Sequence, residues 1–348
     1  MAVTPHNAQH ETARELPLIT ESARVTSVSA MDRDRRAEIR EIVEDVLTIE
    51  HRDEWLGYAG EDDELDWDRL GEHVDAADHD RSWVQELDTL ESRYERAYPS
   101  LLRIGMDAGE AFDFTPGQYL TLRYDGVPRP YSIASSPNRD ETELAVRRVP
   151  NGKLSATLCD ELSAGDEVTL RGPNGDFVME DVSDRDLVFM ATGTGVAPLR
   201  SMIDYVFEEG RDEHGGTERD VWLFLGASWK DDLPFREEFR DLAAAHDNFH
   251  FVPTLSRESY LGDWDGETAY IQHTLVKYLA DDPDATFDLD ERKAAYLDRE
   301  PRTDVDARLE PESVEIYACG INAMVYSLVE TATGLGVPET HVHSEGYG

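Results

Sequence analysis

The spacing of hydrophobic residues near the start of the chain predicts helices. From Asp32 onward apolar residues recur every three or four positions, as on one face of an amphipathic helix: Ile39, Ile42, Val43, Val46 and Leu47. Residues 1–30 are polar and have no such period, so we expect a frayed tail there. Apolar residues continue through an acidic stretch as Trp55, Leu56, Tyr58, Trp67 and Leu70. The pattern predicts a polar tail and a helical appendage over residues 1–82.

The rest of the chain shows two further patterns, one of short β-type runs and one in which β-type and helical runs alternate. Residues 83–182 contain short β-type runs separated by turns, which predict an antiparallel β-barrel: SLLRIGM, GQYLTLRY, PYSIAS, ELAVRRV and DEVTLRG. In residues 183–348, β-rich runs alternate with helical ones, which predicts an α/β domain with a doubly wound parallel sheet: DLVFMA, VWLFLGA, FHFVPTL and VEIYACG. The acidic, proline-containing segment 281–312 interrupts this alternation as a surface insertion.

Charge narrows the possible partners. The 348 residues are long enough for two domains, and they carry 75 Asp and Glu against 33 Lys and Arg, a net charge of -42. Such a balance disfavours nucleic acid as a partner. The acidic residues are spread from Asp32 to Glu345, which favours a solvated surface adapted to molar salt, where the Debye length is about 3 Å. We therefore expect low salt to loosen the protein, as in proteins of halophiles.

The cysteine count excludes several kinds of site. Cys159 and Cys319 are too few for a disulfide framework, a four-cysteine zinc site or a plant-type iron-sulfur cluster, so such a cluster would have to belong to another chain. No apolar run has the length of a signal peptide core or a membrane span. These observations predict a cytoplasmic protein without a membrane span.

A glycine-rich turn, MATGTGVAPL at residues 190–199, follows a β-type run and precedes a helical pattern. Gly193 and Gly195 allow a tight turn and the close approach of a ligand, and the N–H groups at the start of a helix bind phosphate. The motif is not GxGxxG, and a tight strand–helix connection would equally explain it. The turn is a candidate pyrophosphate site.

A second turn, VPNGKLSATL at residues 149–158, lies in the barrel half. Gly152 turns the chain, Lys153 adds a positive charge, and Ser155 is placed to cap a helix beginning at Ala156. Helix capping alone would explain this motif. Arg129 belongs to the same predicted domain, however, and an arginine facing a helix N-terminus would form a pocket for a second phosphate-bearing ligand.

The order of several motifs resembles the ferredoxin-NADP reductase superfamily, flavoproteins in which a FAD-binding barrel precedes a nicotinamide-binding α/β domain. The motifs are FTPGQYLTL, RPYSIAS, VPNGKLSATL, AGDEVTLRGPNGDF, ATGTGVAPL, IYACGINAM and the terminal HSEGYG. The resemblance covers about residues 83–348 and leaves the helical appendage unexplained.

The resemblance implies a flavin site on RPYSIAS. Arg129 would pair with the FAD pyrophosphate, Tyr131 would pack on the isoalloxazine and ribityl chain, and Ser132 would hydrogen-bond flavin N5. The other cofactor-binding positions implied in this half are Ile133, Gly152, Lys153 and Ser155. FAD is favoured over FMN because both halves of a pyrophosphate site are present.

The resemblance also implies a nicotinamide site. Its pyrophosphate would lie on Thr192, Gly193, Thr194 and Gly195. Cys319, followed by Gly320, would flank the nicotinamide, although a buried structural cysteine is the commoner case. Tyr347 would stack on the isoalloxazine, and Glu345 would hydrogen-bond near Ser132. Many relatives end on this aromatic residue, whereas here Gly348 follows it. This interpretation gives no cofactor role to three residues: Cys159, His341 and His343. It includes no metal site.

The segment 255–272 bears on the choice of nicotinamide cofactor. Ser256 and Arg257 stand where relatives that use NADP hold the 2'-phosphate, and Tyr270 with Gln272 resembles their adenine-stacking segment. We therefore predict that NADPH is preferred over NADH. Thr268 stands where such relatives often carry a basic residue, and GDWDGETAYIQ also resembles NADH-using oxygenase reductases.

The predicted activity is hydride transfer between nicotinamide C4 and flavin N5, with single electrons exchanged with a separate carrier. That carrier would be a ferredoxin, a flavodoxin-like protein or an oxygenase component. It would dock on apolar contacts or on a local basic patch: Arg123, Arg129, Arg147 and Arg148. Two alternatives stay open: a non-catalytic flavin-binding regulatory subunit, and a reductase of free flavin or quinone.

Overall fold

The structure is a computed structural model. It describes residues 13, 16–49, 65–68, 70, 81–109, 112–258, 264–280 and 286–347. The chain divides into two compact units, one made of Met1–Asp32 with Leu101–Gly348 and the other of Arg33–Ser100. No helix within the described ranges is both long and apolar enough to cross a membrane.

The barrel has six antiparallel strands and one helix. They are β1 (Ile19–Ala30), β2 (Leu101–Asp107), β3 (Tyr119–Tyr124), β4 (Val127–Ser132), β5 (Thr142–Arg147) and β6 (Glu167–Asn174), with helix α3 (Lys153–Glu161) between β5 and β6. The sheet order is β4-β3-β6-β1-β2-β5. A bridge between Ile133 and Leu144 joins the two edges, so the sheet nearly closes on itself and the predicted barrel is confirmed.

The frayed tail predicted for residues 1–30 is wrong where the structure describes strand β1. This strand lies between β6 and β2. Ala23 and Val25 are buried two positions apart, as expected for one face of a strand, while most of the other residues of the strand are exposed. The outer face of β1 is polar and only two buried apolar residues mark its inner face. The alternation of apolar and polar residues is therefore too short to distinguish this strand from a polar tail. Along the sequence, the helical unit therefore falls between strands β1 and β2 of the barrel.

The helical unit contains α1 (Arg36–Ile49) and α2 (Arg81–Tyr94), which contact each other. The predicted apolar face is confirmed on α1, where Ile39 and Val43 are buried. Trp67 packs edge-to-face on Tyr94 with 5.5 Å between ring centroids. Several predicted apolar side chains lie outside the described part: Val46, Leu47, Trp55, Leu56 and Tyr58.

The α/β domain has a five-stranded parallel sheet in the order β11-β10-β7-β12-β13. Its strands are β7 (Asp186–Thr192), β10 (Val221–Ala227), β11 (Phe249–Leu255), β12 (Val314–Ile321) and β13 (Val342–Tyr347), and β8 (Glu213–His214) with β9 (Thr217–Glu218) forms a small ribbon. Its helices are α4 (Val196–Glu208), α5 (Arg236–Ala245), α6 (Ile271–Val276), α7 (Glu291–Ala294) and α8 (Asn322–Gly334).

Both faces of this sheet are covered, as predicted. Along β7, Leu187 and Phe189 belong to one core while Val188 and Met190 belong to the other. The strand is therefore continuously hydrophobic, as buried parallel strands are. The predicted insertion is described from residue 286 on, and it contributes Leu309 to the second core.

Candidate active site

The glycine turn joins β7 to α4 at the carboxyl edge of the parallel sheet. Thr192 ends the strand and Gly193–Gly195 forms one 3-10 turn before the helix. A Cβ atom on Gly195 would lie 2.4 Å from the carbonyl oxygen of Cys319, and one on Gly320 would lie 2.7 Å from Oγ1 of Thr192. The turn is therefore packed directly on the end of β12, and the predicted residues 192–195, 319 and 320 are brought together.

Cys319 lies on β12 near this edge, in register with Ala191 of the central strand β7 and Glu345 of the outer strand β13. Its side chain is 1% exposed. Burial raises the pKa of the Cys319 thiol, and the nearby Glu345 carboxylate raises it further. A protonated, buried thiol is a neutral packing group and not a nucleophile.

Tyr347 lies beside the same turn. Its hydroxyl donates to the carbonyl oxygen of Thr192 over 3.4 Å, and the residue is 42% exposed. Partial burial raises the pKa of the phenol, while hydrogen bonding to Thr194 lowers it in part. Burial likewise raises the pKa of Glu345. The structure describes both Glu345 and Ser132 and gives no hydrogen bond between them, and Gly348 lies outside the described residues.

Strand β4 presents the predicted flavin-side residues. Arg129 is exposed and its guanidinium donates to the neighbouring Pro128 carbonyl at 2.7 Å. No carboxylate within the described residues forms an ion pair with it, so this guanidinium can accept an anion. Tyr131 packs on the barrel core, and burial raises its pKa to about 12. Ile133 is fully buried directly after Ser132, which fixes the end of the strand.

The predicted capping role of Ser155 is wrong. Helix α3 begins at Lys153 with Gly152 as its N-cap residue, three positions earlier than expected. The buried Ser155 hydroxyl instead accepts a hydrogen bond of 3.0 Å from the backbone N–H of Val149 and so holds the preceding loop. Within the described residues no side chain caps the helix, so its first N–H groups have no side-chain acceptor.

Gly152 is required by close packing of the loop at this helix start. A Cβ atom there would come within 2.7 Å of the Ser155 hydroxyl and 2.9 Å of the Val149 carbonyl oxygen. Helix α3 also contacts β4, the strand of Arg129. An uncapped helix start, on a helix that contacts the strand of Arg129, fits the pyrophosphate of a dinucleotide such as FAD.

The remaining predicted residues lie at the ends of β10 and β11. The Ser256 N–H donates to the Ala227 carbonyl at 3.0 Å, and the Arg257 N–H donates to the Ser228 carbonyl at 3.2 Å. Tyr270 is 54% exposed at the start of α6, with Gln272 in the first turn of that helix. The Thr254 hydroxyl donates to the Ala269 carbonyl at 2.6 Å and so holds this helix start beside the end of β11.

Two of the four arginines predicted to form a basic patch are already neutralised. Arg147 pairs with Asp232 at 3.0 Å and Arg148 pairs with Asp160. The described residues contain no group of three or more side chains suited to a metal ion.

A buried polar contact between the barrel and the α/β domain was not predicted from the sequence. It centres on Arg200 and Ser201 of α4, which follow the glycine turn. An arginine within the otherwise apolar run VAPLRSMI was the one available signal, since a buried charge requires a partner.

The fold, with a glycine turn before a helix in each domain, is that of a class of two-domain oxidoreductases that bind a flavin and a nicotinamide cofactor. Residues 100–179 match the oxidoreductase FAD-binding domain, and residues 189–330 match the oxidoreductase NAD-binding domain. Ferredoxin–NADP reductase B of Sorangium cellulosum is 34% identical over 245 residues, which are 69% of this chain and 87% of that protein. The chain belongs to the ferredoxin-NADP reductase superfamily.

Other similar proteins differ in what their names state. The phenol 2-monooxygenase reductase component DmpP of Pseudomonas sp. is 34% identical over 182 residues, 51% of this chain and 50% of that protein. A solved ferredoxin NADP+ reductase from Neisseria gonorrhoeae with bound FAD and NADP has the same fold, with 24% identity, a TM-score of 0.54, and coverage of 71% of this chain and 93% of that one. The chain spans about half the length of some curated relatives that it matches.

Proposed function

We propose that this protein is a FAD-dependent NAD(P)H oxidoreductase that transfers hydride between nicotinamide C4 and flavin N5 and exchanges single electrons with a separate carrier. One observation carries this proposal. A single compact unit holds two glycine turns, each leading into a helix without a side-chain cap: Gly152 before α3 and Gly193–Gly195 before α4. Two such turns suit two dinucleotides, one in each domain.

On the flavin side, Arg129 and the start of α3 hold the FAD pyrophosphate, Tyr131 packs on the flat ring system, and the Ser132 hydroxyl hydrogen-bonds N5. The backbone at Lys153 belongs to that helix start, and Ser155 keeps its loop in place. Bound FAD supplies the redox chemistry, because it takes up two electrons together and releases them one at a time.

On the nicotinamide side, residues 192–195 and the start of α4 hold the cofactor pyrophosphate. The buried, neutral Cys319 and the adjacent Gly320 would form the floor of the site, and Tyr347, whose hydroxyl bonds the Thr192 carbonyl, would lie beside the nicotinamide. Ser256 and Arg257 hold the adenosine 2'-phosphate, beside Tyr270 and Gln272 for the adenine ring. This assignment makes NADPH the preferred cofactor.

The electron acceptor is a separate one-electron carrier, a ferredoxin or a flavodoxin-like protein. This is supported by the ferredoxin–NADP reductase relative, of which this chain covers 87%. The similarity to the phenol 2-monooxygenase reductase component favours a second candidate, an oxygenase component.

The test is anaerobic. The FAD-loaded protein in molar KCl is mixed in a stopped-flow instrument with one equivalent of NADPH or NADH, and the visible flavin absorbance is followed. We expect rapid bleaching, faster with NADPH, and we expect Arg257→Ala to slow the reaction with NADPH while leaving that with NADH unchanged. A bound flavin that neither nucleotide bleaches would contradict the proposal and favour the regulatory subunit.

A further inference from the structure

Helix α4 is anchored to the barrel by two consecutive side chains. The Arg200 guanidinium donates to the Ala134 carbonyl at 2.9 Å and to the Glu143 carboxylate at 2.6 Å. The Ser201 hydroxyl donates to the Ser135 carbonyl at 2.6 Å. Arg200 is 7% exposed and Ser201 is fully buried. The helix that starts at the glycine turn is therefore fixed to the residues that follow Ser132.

The barrel side of this contact is itself held in place. The Ala134 N–H donates to the Glu143 carbonyl at 2.8 Å, and the Glu143 N–H donates to the Ser135 hydroxyl at 3.0 Å. The neighbouring Ile133 and Leu144 form the bridge that closes the barrel. Residues 133–135 therefore move with β5, and they carry the end of the predicted flavin strand with them.

A second arginine and two further carboxylates extend this contact into a network, in which Asp204, one turn along α4, lies 3.8 Å from the Arg200 guanidinium. Arg103 of β2 bonds both Glu143 and, at 2.7 Å, Glu238 of α5, which also accepts from Arg200 at 2.8 Å. The Phe235 ring lies under the Arg200 guanidinium, 4.4 Å from its centroid, and Phe235 has a φ of +56°. The aromatic residue thus adopts a left-handed backbone conformation that such side chains rarely take.

Stability alone does not account for this network. Buried ion pairs contribute little net stability, because desolvation offsets their attraction, and apolar residues of similar volume often serve as well. What the two arginines and three carboxylates provide is a fixed geometry, because charge-assisted hydrogen bonds are short and directional and allow few alternative arrangements.

The path between the two cofactor-binding elements is short. Arg200 follows Gly195 by five residues on one helix, a rise of about 7.5 Å at 1.5 Å per residue. Ala134 follows Ser132 by two residues, a span of about 7 Å. A displacement of about 1 Å between reacting atoms can cost roughly 100-fold in rate.

We propose that Arg200, assisted by Ser201, is a positioning residue for hydride transfer: it sets the distance between the nicotinamide-binding turn and the flavin-binding strand. This inference rests on the proposed function. Neither side chain touches the reacting atoms, so their effect is on geometry and not on cofactor affinity.

The test uses the FAD-loaded full chain. In Arg200→Met, the first-order rate of flavin reduction at saturating nucleotide should fall about 10- to 100-fold, while the nucleotide Kd changes less than about threefold. Arg200→Lys should restore part of the rate. Amide hydrogen exchange at Ala134 and Ser135, measured without nucleotide, should become faster in Arg200→Met. Should that variant fail to fold, Ser201→Ala removes one hydroxyl and should show the same changes at smaller size.

Arg219→Met is the matched control. Arg219 is also buried, and it donates to main-chain carbonyls within the α/β domain, those of Arg185 at 3.0 Å and Arg211. Its loss should lower stability without lowering the first-order rate. Equal rates in wild type, Arg200→Met and Ser201→Ala would overturn the positioning role. A wild-type flavin that no nucleotide reduces would overturn the proposed function itself.

Discussion

Gly193 and Gly195 stand two positions apart in one motif, yet they are required for different physical reasons. Gly193 has a φ of +53° and open space where a Cβ would be, so its requirement is conformational. Gly195 has an ordinary helical φ of -61°, and its requirement is the close approach of the β12 backbone. The sequence does not distinguish these two requirements, because both positions are glycine.

This difference predicts unequal effects of one substitution. Gly193→Ala should lower the free energy of unfolding by about 1 kcal/mol, the usual cost of a left-handed L-residue. Gly195→Ala should cost about 3 kcal/mol, because a Cβ 2.4 Å from a carbonyl oxygen forces strand β12 to shift. Urea unfolding of the two variants measures both values. Equal destabilisation would contradict the packing explanation.

At the scale of elements, structure determined by neighbouring residues was predicted from the sequence, whereas contacts between distant parts of the chain were not. The alternation of β-rich and helical runs predicted the parallel sheet, and the motif order predicted the turns at 152 and 193–195. Strand β1 was missed because its partners, β2 and β6, lie far along the chain and only Ala23 and Val25 mark its inner face. The Arg200 contacts were missed for a similar reason, since Ala134 lies 66 residues away.

Strand β1 should be indispensable to the barrel. Deleting residues 1–30 would expose the edges of both β2 and β6, which otherwise pair with it on either side. We expect the truncated chain to be insoluble or to lose FAD binding, because unpaired strand edges promote aggregation. Expression with added FAD and the visible spectrum of the soluble fraction measure this. A soluble, yellow truncated protein would show that the barrel closes without β1.

At the scale of the whole molecule, charge is the dominant feature. The net charge of -42 produces self-repulsion that favours expansion of the chain, and salt screens it. Buried pairs such as Arg200 with Glu143 are screened much less than the surface charges are. The salt dependence of stability should therefore come from the surface.

Raising KCl from 0.1 to 2 M should raise the thermal unfolding midpoint. If screening restores about 2 kcal/mol, the midpoint of the 348-residue chain should rise by roughly 3 °C. Arg200→Lys should show nearly the same salt dependence as wild type, since the Arg200–Glu143 pair is shielded from solvent and surface charges outnumber the partly exposed pair with Glu238. Calorimetry at graded KCl concentrations measures the slope, and a midpoint independent of KCl would contradict an adaptation to salt.

The end of β1 and the start of β2, which flank the helical unit in the sequence, lie side by side in the barrel. Ala30 of β1 stands opposite Leu102 of β2, and the Met31 N–H donates to the Leu101 carbonyl at 2.8 Å. Residues Arg33–Ser100 thus occupy the position of the loop in the β1–β2 hairpin, and they form an exchangeable insert. A short turn could replace it without altering strand pairing, because loop closure depends only weakly on length. The same junction is a site where another domain could be fused to a flavoprotein scaffold with both of its ends anchored.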